Sequence, residues 1–204
     1  MENHSAHSEH RDDEGSRLGM WVFLFTEMIL FFGLFLVYAV FRAKHADDFH
    51  IAAQQFNVII GAINTIILLI SSATVAMSIT AIQLNDRVKA IRLLWITIGL
   101  ALIFLVNKYF EWGGKIDHML YPGSDLVTSL KQGQILFFGL YYFMTGLHAL
   151  HIVIGVTLLA YIASQVKKGK VNANDHVLLE NGGLYWHLVD LIWIFLFPLL
   201  YLIT

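Results

Sequence analysis

Four stretches of this sequence carry side chains able to do acid–base or ligand chemistry. W-V-F-L-F-T-E-M-I-L-F-F-G holds Glu27, and F-M-T-G-L-H-A-L-H-I-V-I-G holds His148 and His151. E-N-G-G-L-Y-W-H-L-V-D-L-I-W carries Glu180, Trp186, His187 and Asp190, and K-Y-F-E carries Lys108 and Glu111. A carboxyl among residues this apolar is either a proton-handling group or a neutral one held by hydrogen bonds inside a bundle. His148 and His151 offer two ring nitrogens one helical turn apart, without the third ligand a metal centre needs. They therefore read as packing and hydrogen-bonding residues. His187 and Asp190, at i and i+3, are placed to bond to each other or to a neighbouring helix. Lys108 and Glu111 have the same spacing and suit an ion pair. His4, His7 and His10 lie in a polar tail that needs no metal to explain it, so no metal site is expected.

The elements that must position these groups are long apolar blocks. The 204 residues are 57% hydrophobic and 14% charged, which is the composition of an integral membrane protein. Five blocks are long enough for a hydrocarbon core of about 30 Å, at about 18–41, 56–83, 92–112, 133–164 and 183–203. An all-α, polytopic membrane fold follows, with a polar tail over 1–17 and a transmembrane domain over 18–204. Glu27 falls about three residues from the centre of the first block, roughly 4–5 Å from the midplane at 1.5 Å per residue. Asp190 lies as near the centre of the fifth, where an aspartate costs about 2.5–3.5 kcal/mol on insertion scales. Asn64, Ser71 and Ser72 are the polar marks of the second block. Gly146 and Gly155, with Thr145 and Ala149, suit close helix packing in the fourth. Pro122-Gly123 signals a turn. Neither an internal repeat nor a separate soluble domain is visible, and the tail lacks the layout of a cleavable signal.

Charge and cysteine content narrow the function. There are 13 basic and 15 acidic residues, so no basic footprint suggests nucleic acid. The sequence has no cysteine, which excludes disulfides, thiolate metal sites, iron–sulfur clusters and Cys-linked haem. With the N-terminus inside, the inner segments hold eight Lys and Arg and the outer segments five, so the N-terminus is expected in the cytoplasm and the C-terminus outside. Two readings remain: a membrane anchor carrying haem, or a supporting subunit of a larger complex. The first needs facing axial ligands, for which only His148 or His151 with His187 offer themselves. A transporter is disfavoured by the lack of repeats and interrupted helix pairs.

The motifs together resemble subunit III of the haem-copper terminal oxidases, in its five-helix bacterial form. F-T-E-M-I-L-F-F-G-L-F resembles the segment whose intramembrane glutamate reacts with carbodiimide, which puts Glu27 in that place. F-M-T-G-L-H-A-L-H-I-V-I-G resembles the family's Thr-Gly-x-His-x-x-His-x-x-x-Gly helix. The stretch from Glu180 resembles its Glu-x-x-x-x-Tyr-Trp-His-Phe-Val-Asp-x-x-Trp signature, with Leu188 where Phe is usual. K-Y-F-E matches the end of the third helix, with Glu111 at the acidic position. The resemblance implies a non-redox subunit of an aerobic oxidase in the bacterial cytoplasmic membrane, with haem and copper in subunits I and II. It implies packing on subunit I, bound phospholipid, support of proton uptake and of sustained turnover, and room for a respiratory supercomplex. It further implies a two-plus-three grouping of the helices, and His148, His151, Glu111, Glu180, Trp186, His187 and Asp190 as structural, lipid-contact or subunit-contact positions. Cytochrome c is the expected electron donor, with quinol oxidases and nitric-oxide-reductase clusters as the alternative setting. If the chain carries no redox group, expression without partners should give a preparation lacking a Soret band. A stoichiometric haem there would point to the anchor instead.

Overall fold

Helices are the only open-ended way to carry a backbone through hydrocarbon with its polar groups satisfied, and the apolar blocks form them. The computed structural model describes residues 13–203, so His4, His7 and His10 and most of the polar tail lie outside the described residues. The element order is α1 (Asp13–Lys44), α2 (Ala46–Ala53), α3 (Val58–Gln83), α4 (Arg87–Asp117), α5 (Asp125–Thr128), α6 (Gln132–Lys167) and α7 (Val177–Tyr201). Five of them, α1, α3, α4, α6 and α7, are long and apolar enough to cross a membrane. Among the described residues there is no strand, only an isolated bridge between Asn172 and Asp175.

The helices extend past the apolar blocks because polar residues at their ends are helical too. Helix α1 starts at Asp13, within the segment expected as tail, with Asp13 and Glu14 in its first turn. Carboxylates there complement the dipole of the helix start. Helix α7 starts at Val177, six residues before the apolar block, and so includes Glu180. Asn57, Asp86 and Ser124 cap α3, α4 and α5 by accepting backbone N–H groups. The short helix α2 occupies what reads as a polar break. Its Phe49 is fully buried between the rings of Tyr38 and Phe137.

The packing does not confirm a grouping of the spans as two plus three. Helix α3 lies along α4 and α7, α6 lies against α4 and α7, and α1 touches α6 and α7. The connections explain this. Only Leu84–Asp86 joins α3 to α4, with Asn85 in the left-handed conformation at φ 61°, and a turn so short makes the two helices antiparallel neighbours. After α1, by contrast, α2 packs on α6 and carries the chain across the bundle before α3 begins. Polar contacts lock the α3–α4 pair: Asn107 Nδ2 donates to Asn64 Oδ1 at 2.8 Å, and Thr74 and Thr97 share a hydroxyl bond of 2.7 Å.

Burial is uneven. Helix α7 buries residues along most of its length, including Trp186 and Trp193, whereas α1 buries only Leu24, Phe31 and Tyr38. Those three recur every seven residues, a narrow seam of the kind one helix presents to another. Gly155 lets α7 approach α6 closely, since a Cβ there would stand 2.8 Å from the Trp186 ring. Gly155→Leu should therefore destabilise the detergent-solubilised protein by about 1–3 kcal/mol through overpacking. Gly99 has nothing within 4 Å of its would-be Cβ. Gly99→Ala should leave the thermal midpoint unchanged or slightly raised, because alanine is the better helix former.

Candidate functional site

The seam of α1 places Glu27 between Leu24 and Phe31, facing α6. Its Oε2 lies 2.9 Å from His151 Nε2, and His151 Nδ1 is 2.8 Å from the Leu147 carbonyl one turn back. That carbonyl only accepts, so Nδ1 carries a proton. A hydrogen bond across the contact with Glu27 then needs one further proton, on Nε2 or on Oε2. With the proton on either atom, the pair has zero net charge, which is what a low-dielectric site tolerates. The Phe31 ring meets His151 edge-on at 5.2 Å, and Tyr185 donates its hydroxyl to the His151 carbonyl at 3.1 Å. The histidine is thus fixed from α1 and α7 together.

The two histidines of H-A-L-H part company. His148 is fully buried, its ring 5.2 Å from Trp193 and 5.8 Å from Phe104, and neither ring nitrogen bonds to a described residue. On α7, Trp186 Nε1 donates to Ser71 Oγ at 3.1 Å, and His187 Nδ1 pairs with Ser72 Oγ at 2.6 Å. Of the two arrangements open to His187, then, it takes the neighbouring helix rather than Asp190. Asp190 is 3% exposed and lies one turn beyond, between Trp186 and Trp193, facing the Ser71 and Ser72 hydroxyls of α3. Trp193 Nε1 completes the row by donating to Thr65 at 3.1 Å. These side chains stitch α7 to α3 in the interior.

A second polar cluster lies where α4, α6 and α7 meet, toward the end of α4. Lys108 Nζ is 3.3 Å from Glu111 Oε2, the pair that the i, i+3 spacing suggests. Around it stand two phenols from other helices. Tyr141 and Tyr201 donate to Glu111 Oε1 at 2.5 and 2.6 Å and accept from Lys108 at 3.2 and 2.8 Å. Lys108 also sits about 5.2 Å from the ring centres of Tyr141 and Trp193. Glu180 is elsewhere, at the opposite end of the bundle, where it accepts from Arg17 at 2.8 Å and meets His176 at 3.1 Å.

Sequence spacing shows contacts within one helix, and so it misses Tyr141, Tyr201, Arg17 and the pairing of Glu27 with His151, which are 124 residues apart. An apolar groove of about 730 Å³ between α1 and α7 is equally invisible in the sequence. It is lined by Met28, Phe31, Phe35, Leu191 and Phe195, with Arg42 at one end. Among the described residues no group of three or more His, Asp or Glu side chains comes together as a metal site.

Residues 2–204 match the family profile described as cytochrome c oxidase subunit III. The chain belongs to the cytochrome c oxidase subunit III family. A cytochrome c oxidase subunit 3 from Thermostichus vulcanus is 35% identical over 188 residues, covering 92% of this chain and 87% of that one. One from Alkalihalophilus pseudofirmus is 29% identical over 199 residues, covering 97% and 92%. A protein named heme-copper oxidase subunit I+III, from Aeropyrum pernix, is 30% identical over 195 residues, which are 92% of this chain and 22% of that protein. The chain is a transmembrane subunit III of a haem-copper oxidase, part of an oxidoreductase complex with partner oxidase subunits.

The Lys108–Glu111 cluster gives a sharp test within this subunit. Lys108→Met leaves a buried carboxylate without its cation and should cost about 3–5 kcal/mol. Lys108→Met combined with Glu111→Gln removes both charges and should recover most of that loss in thermal unfolding of the subunit. If the double variant is as unstable as the sum of the single ones, the pair is not coupled.

Proposed function

We propose that the chain serves an aerobic cytochrome c oxidase as its non-redox subunit, seated on subunit I, with haem and copper held in subunits I and II. The observation that carries this reading is the Glu27–His151 contact at 2.9 Å, an acid–base pair deep in a span. Such a pair can hold or pass a proton without acquiring net charge. That suits support of proton uptake better than electron transfer. Seating on subunit I is favoured by the Aeropyrum pernix relative, whose name joins subunits I and III in one protein. The groove between α1 and α7 suits a phospholipid, because its walls are apolar and Arg42 offers a cation at one end. His148, Trp186, His187 and Asp190 keep α7 in register with its neighbours, and Glu180 anchors the start of α1 through Arg17. The excess of Lys and Arg in the segments on the N-terminal side of the membrane, eight against five, favours an orientation with the N-terminus inside a bacterial cell.

Two experiments test this. A hydrophobic carbodiimide should label Glu27 in the wild-type complex and lose that label in Glu27→Gln, with the amide keeping assembly intact. Labelling that persists in the variant would show that another carboxyl reacts. A complex stripped of the chain should retain substantial initial oxygen consumption at matched haem content. That activity should decay over successive turnovers faster than in the intact complex, and more visibly as pH rises and protons become scarce. Immediate and complete loss with spectrally intact metal centres would place an essential step in this chain instead.

A further inference from the structure

The α4 cluster contains an imbalance that the Lys108–Glu111 pair does not resolve. Lys115, two turns beyond Lys108, is 7% exposed. Its one directed bond goes to a neutral acceptor, the Gln55 carbonyl, at 3.1 Å, and its Nζ stands 3.4 Å from the centre of the Phe56 ring. Among the described residues no carboxylate lies within ion-pair distance of it; Glu111 is taken up by Lys108 and the two phenols. The site therefore holds two buried ammonium groups and one carboxylate. A buried cation of this kind is stabilised by a second anion. Beside it, between the start of α3 and the end of α4, a recess of about 630 Å³ is lined by Gln55, Asn57, Glu111, Lys115 and His118. Asn57 spends its side-chain oxygen capping α3, through Ile59 and Ile60, which leaves the amide NH₂ as a donor. The rest of the wall includes Ile60, Phe110 and Leu126.

We infer that this recess binds a phosphate oxyanion through Lys115, supplied by the headgroup of an anionic phospholipid. The charge excess calls for an anion, and Asn57 and His118 add donors to it. The apolar wall matches a glycerol backbone and the first methylenes of an acyl chain, which free phosphate lacks. The position is right for a headgroup, since the recess sits where two spans end, beside α2 and α5. It is separate from the groove between α1 and α7, and it stands whether or not that groove holds lipid.

Native mass spectrometry of the delipidated oxidase complex, titrated with phosphatidylglycerol, phosphatidylcholine or inorganic phosphate, tests the assignment. Wild type should retain one phosphatidylglycerol more than Lys115→Met does, with affinity falling about tenfold or more in the variant, as expected for losing a hydrogen bond to a charged group. Lys115→Arg should retain it, and phosphatidylcholine should not distinguish the three proteins. Equal phosphatidylglycerol retention by wild type and Lys115→Met would overturn the site. Uptake of inorganic phosphate without phosphatidylglycerol would overturn the lipid as its source. Should Lys115→Met fail to assemble, wild type alone decides. A phosphatidylglycerol with a photoreactive group near its phosphate should crosslink within residues 55–60 and 110–120. Crosslinks confined to other segments would contradict the proposal.

Discussion

A carboxyl group cannot lie bare in hydrocarbon, and the contact between Glu27 and His151 answers that constraint for the span that has least else to hold it. Helix α1 buries three side chains along 32 residues. Besides ring contacts of Phe23 with Tyr185 and of Phe35 with Phe195, it is attached by polar groups: Arg17 to Glu180 and Ser16 to Asn181 at one end, Glu27 to His151 within, and Tyr38 to the Leu199 carbonyl toward the other. The Arg17–Glu180 pair is 53% and 26% exposed at its two partners, and an ion pair in that setting is worth about 1 kcal/mol or less. The interior pair is different. Separating its partners would leave an unsatisfied carboxyl and an unsatisfied imidazole in a medium with no water to replace the lost bond. The seat of α1 on α6 and α7, and with it the groove lined by Met28, Phe31 and Phe195, rests on that contact.

The other spans are joined by the same means. Buried polar groups of one helix meet groups from another: Asn64 with Asn107, Thr74 with Thr97, Ser71 with Trp186, Ser72 with His187, and Glu111 with Tyr141 and Tyr201. Lipid tails are as apolar as leucine, so hydrophobicity alone does not choose which faces meet. These hydrogen bonds set the rotation of each helix about its axis, while Gly155 and Gly183 allow the close approach of α7 to α6 and α3. His148 stands apart, buried without a bond from a described residue. Its ring is held by packing against Phe104 and Trp193.

Length and hydropathy are enough to read the five spans, because hydrocarbon thickness imposes them directly. Their ends are less legible. Val177 to Gly182 lie before the fifth apolar block, yet they are the first part of α7, since helical hydrogen bonding does not stop at the lipid boundary. R-A-K-H-A-D-D-F-H reads as a polar break, although it runs into α2, where Phe49, Ala52 and Ala53 are buried in the core. The grouping of helices was beyond the sequence, because it depends on how α2 carries the chain across the bundle. Within the site, Lys108 with Glu111 was legible from spacing, and Glu27 was conspicuous from its depth. The partner of Glu27 was not: H-A-L-H suggests two equivalent histidines, and only the packing of α1 and α7 assigns His151 to the acid and His148 to the aromatic core.

A double-mutant cycle on Glu27 and His151 tests the coupling of α1 to the bundle most directly. Thermal stability would be measured for wild type, Glu27→Leu, His151→Leu and the double variant, all in the same detergent or lipid preparation. Either single change leaves one buried polar group unpaired, whereas the double change removes both. The stability losses should therefore be strongly non-additive, with a coupling of about 1.5–3 kcal/mol and a double variant less impaired than the sum. Losses that simply add would show that Glu27 and His151 do not depend on each other, and that α1 is held to the bundle by something else.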